Sequence, residues 1–191
     1  TASSNKIISN NIKFTGSNTN TGAIQLSGTS NSNNIISNNI TVTGTDTQGI
    51  SLGGTSYNTV NLNTIIKSGT GTSYNYAISA EGSNCNVTNN IIKHTGANGK
   101  GIGVTGKNNR LNNNTIRVSG ANGRGINFWG GGSAPYQTNN TFSNMKVYTN
   151  NTGANALFLT SGSYPYNFTF TDSILNSSAA GFTEFNISKG V

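Results

Sequence analysis

The chain has 191 residues, of which 32% are hydrophobic and 8% charged, with a formal net charge of +7 and 25 glycines. Globular chains carry roughly 45–50% apolar residues, glycine included, and about a quarter charged, so one large apolar core is excluded. A single cysteine excludes an internal disulfide framework, and no stretch is apolar enough to cross a membrane.

Asn, Ser, Thr and Gly in such amounts suit a disordered chain unless a pattern orders them. The pattern is a repeat. In chain order, SNNIKFTG, SNNITVTG, LNTIIKSG, NNIIKHTG and NNTIRVSG close on Gly16, Gly44, Gly69, Gly96 and Gly120. The intervals between these glycines, by subtraction, are 28, 25, 27 and 24 residues, a period that belongs to stacked repeat architectures. Ile12, Ile40, Ile65, Ile92 and Ile116 form one apolar column, and Ile7, Ile35, Val60, Val87 and Leu111 form a second. Ile24, Ile50, Ile78, Ile102 and Ile126 form a third, in the fragments AIQL, GISL, AISA, GIGV and GINF. Each coil therefore holds three apolar segments too short for helices and bounded by Gly, Asn and Ser, which predicts three strands.

Strands recurring once per coil, with the chain advancing one way, must pair with their own copies in parallel and in register. Like side chains then stack at roughly 4.8 Å. The column Asn10, Asn38, Asn63, Asn90 and Asn114 is expected to form a buried amide ladder. The expected fold is all-β: a single-domain, three-faced parallel β-helix of about seven coils over residues 1–191. Residues 4–132 are regular and 133–191 degenerate. In the latter, Phe142, Met145, Val147, Leu157 and Leu159 mark a sixth coil, Phe168, Phe170, Ile174 and Phe182 a seventh, and Pro135 and Pro165 are assigned to linking turns.

The pattern G-I-x-L, then N-x-I, then N-x-I resembles the right-handed parallel β-helix family that includes pectate-lyase-like proteins, and within it the Asn/Thr-rich adhesin-like surface proteins of archaea and bacteria. The resemblance implies an exported location, extracellular or at the cell surface. The sequence begins at Thr1 rather than at Met, which is expected of a mature processed product or an excised piece.

Basic residues gather in the fourth and fifth coils, where Lys93 stacks on Arg117 and Lys100 on Arg124. This patch, with Trp129 on the third strand face, is the candidate contact for a glycan or an anion. The columns containing Ser51, Ser79 and Asn127, and Gly53, Glu81 and Trp129, are expected to point outward from a shallow face. Recognition motifs for nucleic acid are absent. His94 shares a column with Phe14, Val42 and Val118, which predicts a tucked side chain, and Cys85 is expected to be a buried thiol.

Many β-helix proteins of this resemblance cleave polysaccharides. The four acids, Asp46, Glu81, Asp172 and Glu184, fall in separate coils or turns, so neither a metal cage nor a paired-carboxylate site is expected. No catalytic residue, metal site or cofactor is assigned. The ends suggest association: Ile7 and Ile8 at the head and Phe182, Phe185 and Ile187 at the tail are the candidate junction for end-to-end stacking or for continuation of a longer rod. The sequence favours a non-catalytic, adhesin-like surface rod or filament subunit, with a carbohydrate-binding or polysaccharide-cleaving β-helix as the alternative.

Overall fold

The computed structural model describes residues 3–17, 20–129, 137–159, 165–178 and 185–187. Among them there is no helix; three parallel sheets of seven strands each follow the chain around and advance coil by coil. The first sheet runs from Lys6–Ile8 to Thr169–Thr171, the second from Asn11–Phe14 to Ile174–Ser177, and the third from Thr21–Leu26 to Phe185–Ile187.

The registers are those of the apolar columns. In the first sheet Ile7, Ile35, Val60, Val87, Leu111, Phe142 and Phe170 are successive partners. In the second they are Ile12, Ile40, Ile65, Ile92, Ile116, Val147 and Leu175. Leu175, not Ile174, therefore continues the core; Ile174 lies one position earlier on the opposite face and is exposed. From the second to the sixth coil these side chains are fully buried, whereas Ile7 and Ile12 at one end and Phe170 and Leu175 at the other are half-buried. Ile8 points to the outer face of the first sheet and is exposed. Of the tail residues assigned to a junction, Phe182 lies outside the described residues, while the backbone of Phe185 and Ile187 pairs with Leu157 and Leu159. Pro135 also lies outside them. Pro165 stands in a two-residue strand that pairs with Gln137–Thr138, rather than in a turn.

Sharp corners hold the sheets apart. Between the first and second sheets one residue per coil adopts a left-handed backbone: Ser9, Ser37, Leu62, Asn89, Asn113, Asn144 and Asp172. The corner entering the first sheet repeats the device with Ser4, Ser32, Tyr57, Asn84, Asn108, Asn139 and Asn167. Asn, Asp and Ser tolerate this region because their short side chains bond locally, whereas Leu62 and Tyr57 occupy it as bulky, exposed residues. The anchor glycines have a different cause: a Cβ on Gly44, Gly69, Gly96 or Gly120 would run into the carbonyl oxygen of the anchor glycine one coil earlier.

In the last coils aromatic rings replace isoleucine. Phe142 stacks on Phe170 with centroids 4.3 Å apart, and Phe128 meets Phe142 and Phe168 at 5.6 and 5.4 Å. Such ring pairs add to burial energy through their edge and face charges.

Candidate functional site

The inward residue after each left-handed corner is an amide in most coils. Asn10, Asn38, Asn63 and Asn90 each direct both the backbone N–H and the side-chain Nδ2 at the Oδ1 of the next asparagine in the series, ending on Asn114, at 2.9–3.0 Å. Asn38, Asn63, Asn90 and Asn114 also donate to backbone carbonyls, of Ile7, Ile35, Val60 and Val87 respectively. Beyond Asn114 the position passes to Met145, whose sulfur accepts from Asn114 Nδ2 at 3.6 Å.

A second series occupies the corner before the first sheet. Asn5, Asn33, Asn58, Cys85, Asn109 and Asn140 stand two residues before the apolar residue of each strand, the same N-x-I offset as the first series. Asn5 and Asn33 donate to the Oδ1 of Asn33 and Asn58, Cys85 N donates to Asn109 Oδ1, and Asn109 N donates to Asn140 Oδ1. Cys85 thus takes an amide's place, and its Sγ lies 3.5 and 3.8 Å from the carbonyl oxygens of Ser83 and Thr55. Burial pushes its thiol pKa up, so it stays protonated. The repeated N-x-I phrase carries this second series as well as the first, although the sequence reading assigns a ladder to the other corner alone.

The basic residues divide into two places. On the outer face of the second sheet, Lys93, Arg117, Tyr148 and Asn176 stand on successive rungs. Lys93 and Arg117 are exposed, and the Arg117 guanidinium lies over the Tyr148 ring, 4.6 Å from its centroid. With Ser119 and Asn150 they border an open cleft of about 420 Å³ that, among the described residues, no carboxylate lines.

Lys100 and Arg124 instead belong to the third sheet, on neighbouring rungs below Tyr76. They are not part of an exposed basic patch. Lys100 is buried, its Nζ donating to the carbonyls of Thr72 and Ser73 at 2.9 and 3.1 Å and lying 5.0 Å from the Tyr76 ring centroid. Burial, aided by the Arg124 charge, lowers its pKa to about 8. Arg124 stacks over Phe158 at 3.6 Å and donates to Asn127 Oδ1 at 3.1 Å; burial depresses its pKa as well.

The Thr72–Ser73 stretch that Lys100 holds is fastened from its other side by Asp46. The Asp46 carboxylate accepts from Ser73 N at 2.9 Å, and its own N–H donates to Thr70 O at 2.9 Å. The fastened loop delivers Tyr74 and Tyr76 to Trp129: Tyr74 meets it edge-on and Tyr76 stacks on it, both with centroids 5.9 Å apart. Tyr76 also lies across Gly103, where a Cβ would strike its ring. The third face is therefore overlaid rather than shallow and open, and Ser51, Ser79 and Asn127 are buried.

One buried cation sits inside the coil. Lys67 continues the inward column of Val42, His94 and Val118, and its Nζ donates to Gly44 O and Thr47 Oγ1 at 3.3 and 3.1 Å. Desolvation lowers its pKa to about 8, with Asp46 opposing. His94, the next rung, is buried; desolvation and then the Lys67 charge lower its pKa to about 3, leaving the ring neutral. Its Nδ1 accepts from Gly96 N at 3.2 Å and its Nε2 lies 3.3 Å from Asn75 Oδ1, which fixes the proton on Nε2.

A family model described as "Periplasmic copper-binding protein (NosD)" matches residues 1–174 of the chain. The chain belongs to the NosD family. No curated protein and no solved structure matches it. The NosD match agrees with the parallel β-helix, and the family's description places it in the periplasm, outside the cytoplasm.

Copper, named in that description, is a fair test of these residues. Thiolate, thioether and imidazole ligands suit copper, and this NosD-family chain has one Cys, one Met and one His. Cys85 and Met145 fill amide positions at two different corners, and His94 lies at the third with both ring nitrogens engaged. All three are buried, and no three His, Cys, Asp or Glu side chains converge among the described residues. The residues present do not fit a copper ion.

Proposed function

We propose that this NosD-family chain is a non-catalytic, exported β-helical rod of the adhesin-like kind, a structural element at the cell surface. The observation that carries the reading is the repetition itself. Equivalent side chains fill the core coil after coil, and amides recur at two corners, so the chain's distinctive residues serve axial continuity. In the same reading the rods associate end to end, the strand edges of one end coil pairing with those of another molecule. Negative-stain images and sedimentation of the purified chain are expected to show rods that lengthen with concentration. Particles that stay single overturn the association, and a 4,5-unsaturated uronate released from polygalacturonate overturns the non-catalytic assignment.

The amide series is the ladder that makes such a rod stiff. Asn90 Oδ1 accepts from Asn63 N and Nδ2, and its own Nδ2 donates to Val60 O and Asn114 Oδ1. Asn90→Ala leaves buried donors and an acceptor without it, at about 1–3 kcal/mol per unpaired group. A thermal melt is expected to record a loss on the order of 2–4 kcal/mol. An unchanged melt means that the amides do not hold the coils together.

A second reading, binding of an acidic polysaccharide, is favoured by one observation: Lys93, Arg117 and Tyr148 stack outward along an open cleft that no carboxylate lines among the described residues. Rungs roughly 4.8 Å apart hold the charges along the rod axis, as an extended polyanion requires.

A further inference from the structure

Lys100, buried, and Arg124, half-buried, stand on neighbouring rungs, and they line a cleft of about 320 Å³ together with Tyr74, Tyr76, Asn127 and Trp129. Among the described residues no carboxylate lines it. The Asp46 carboxylate accepts from Ser73 N and its charge acts on Lys100, opposing the effect of burial, while the Glu81 carboxylate accepts from Ser79 Oγ at 2.7 Å. Enclosed charges in proteins are normally paired, because burial without a counter-charge is costly. Among the described residues no carboxylate is paired with Arg124, and the cleft beside it is open.

We propose that this third-sheet cleft binds one carboxylated sugar ring, a uronate, with its carboxylate on Arg124 and its ring against the Tyr74–Trp129 wall. Arg124 is oriented to receive a carboxylate, because stacking on Phe158 fixes its plane and the bond to Asn127 Oδ1 occupies one terminal nitrogen. The remaining edge of the fork matches a carboxylate's two oxygens. Lys100 acts as a positioning residue. Two of its ammonium protons hold the Thr72 and Ser73 carbonyls and so hold Tyr74 in the wall, while its charge adds to the attraction. The aromatic wall selects a ring with an apolar face, and the exposed Thr72 and Ser73 side chains supply partners for sugar hydroxyls. A volume near the lower end of ligand pockets, which run from about 300 Å³, limits the occupant to about one ring.

The site is separate from the second-sheet column and does not depend on the surface-rod reading. It also reports on itself, because Trp129 is the chain's sole tryptophan. Tryptophan emission is followed during titration of the full chain with sodium glucuronate, with glucose and sodium phosphate as reference titrations. Glucuronate is expected to quench or shift the emission, glucose and phosphate to leave it at baseline, and added salt to weaken the response. Arg124→Gln is expected to weaken glucuronate at least tenfold with circular dichroism unchanged, while Lys93→Ala/Arg117→Ala binds like the parent. If Arg124→Gln does not fold, Arg124→Lys keeps the charge without the fork and is expected to show the same weakening. Equal responses to glucuronate and glucose, equal responses to glucuronate and phosphate, no response to glucuronate, or an undiminished response in a folded Arg124 variant each overturn the proposal.

Discussion

Two pairs of cations occupy the same two coils, one rung apart in each case, and meet opposite fates. Lys93 and Arg117 stand on the second sheet facing solvent, with one aromatic ring, Tyr148, beneath the guanidinium. Lys100 and Arg124 stand on the third sheet under an inserted loop, with Tyr76, Phe158 and loop carbonyls around them. Residue type and repeat position are alike; what differs is that the neighbouring coil carries extra residues between Gly69 and Tyr76, which lie over Lys100. In a solenoid the strands set where a side chain stands, and the loops set whether it meets water.

The largest consequence is a pH dependence confined to enclosed cations. Lys67 and Lys100 have pKa values lowered to about 8 in the folded chain, chiefly by burial, against about 10.4 when unfolded. Between those values the unfolded state binds more protons, so stability rises with pH across the window and is lower by the full amount below pH 8. Unfolded tyrosine ionises near pH 10 while burial raises the pKa of Tyr76, which turns the trend downward at the alkaline end. Denaturant melts from about pH 8 to 9.5 are expected to gain on the order of 3 kcal/mol from the two lysines together. Lys67→Met and Lys100→Met should each remove about half of that slope. A flat profile in the parent chain shows that the third-sheet lysine is no more enclosed than Lys93, and the contrast between the two faces fails.

The inward columns are legible because a parallel in-register stack converts sequence period directly into contact. Ile12 to Ile116 pair as aligned, and so do Ile7 to Leu111 and Ile24 to Ile126. The same rule holds further signals that the column reading passes over. Lys67 stands two residues before Gly69, as Val42 does before Gly44 and His94 before Gly96, which already places a lysine in the core. Cys85 stands two residues before Val87, in the row of Asn33 and Asn58. Tyr76, Lys100 and Arg124 all stand two residues before the third-column isoleucine. What the period does not contain is the path of the insertion over residues 70–75. Its residues match no column, and its course over the third sheet is set by bonds between non-equivalent positions, Asp46 to Ser73 and Lys100 to Thr72. The expectation of an open face at Ser51, Ser79 and Asn127 fails for a related reason: alternation along a strand says which face a residue occupies, not what lies over that face.

A smaller effect sharpens the contrast at the loop. Lys100→Ala removes two charge-assisted bonds to loop carbonyls and the contact with the Tyr76 ring, losses of about 1–3 kcal/mol each in isolation. It also relieves the desolvation of the ammonium and its repulsion from Arg124, so the net destabilisation is expected to be about 1–2 kcal/mol. The local signature is more telling: with the loop unpinned, Tyr74 leaves the Trp129 edge, the tryptophan emission moves to longer wavelength, and limited proteolysis cuts within residues 70–74. An unchanged emission spectrum and protection pattern would show that Asp46 alone fastens the loop.

The smallest expected effect belongs to the exposed pair. Lys93→Ala removes a solvated charge beside a cleft that no carboxylate lines among the described residues, and surface charges of that kind contribute within about 0.5 kcal/mol. Arg117→Ala also uncovers Tyr148, giving up a cation–π contact worth about 0.5–1 kcal/mol at an exposed site. The double variant should therefore melt within about 1 kcal/mol of the parent, yet lose retention on a polygalacturonate resin, with the parent's retention itself falling as salt screens the column. That combination, little change in stability with a large change in polyanion binding, is the reverse of what Lys100→Ala should do. Equal retention of parent and double variant makes the second-sheet column a solubilising surface, and a melt lowered as far as that of Lys100→Ala means these two cations are held in place by the fold rather than displayed by it.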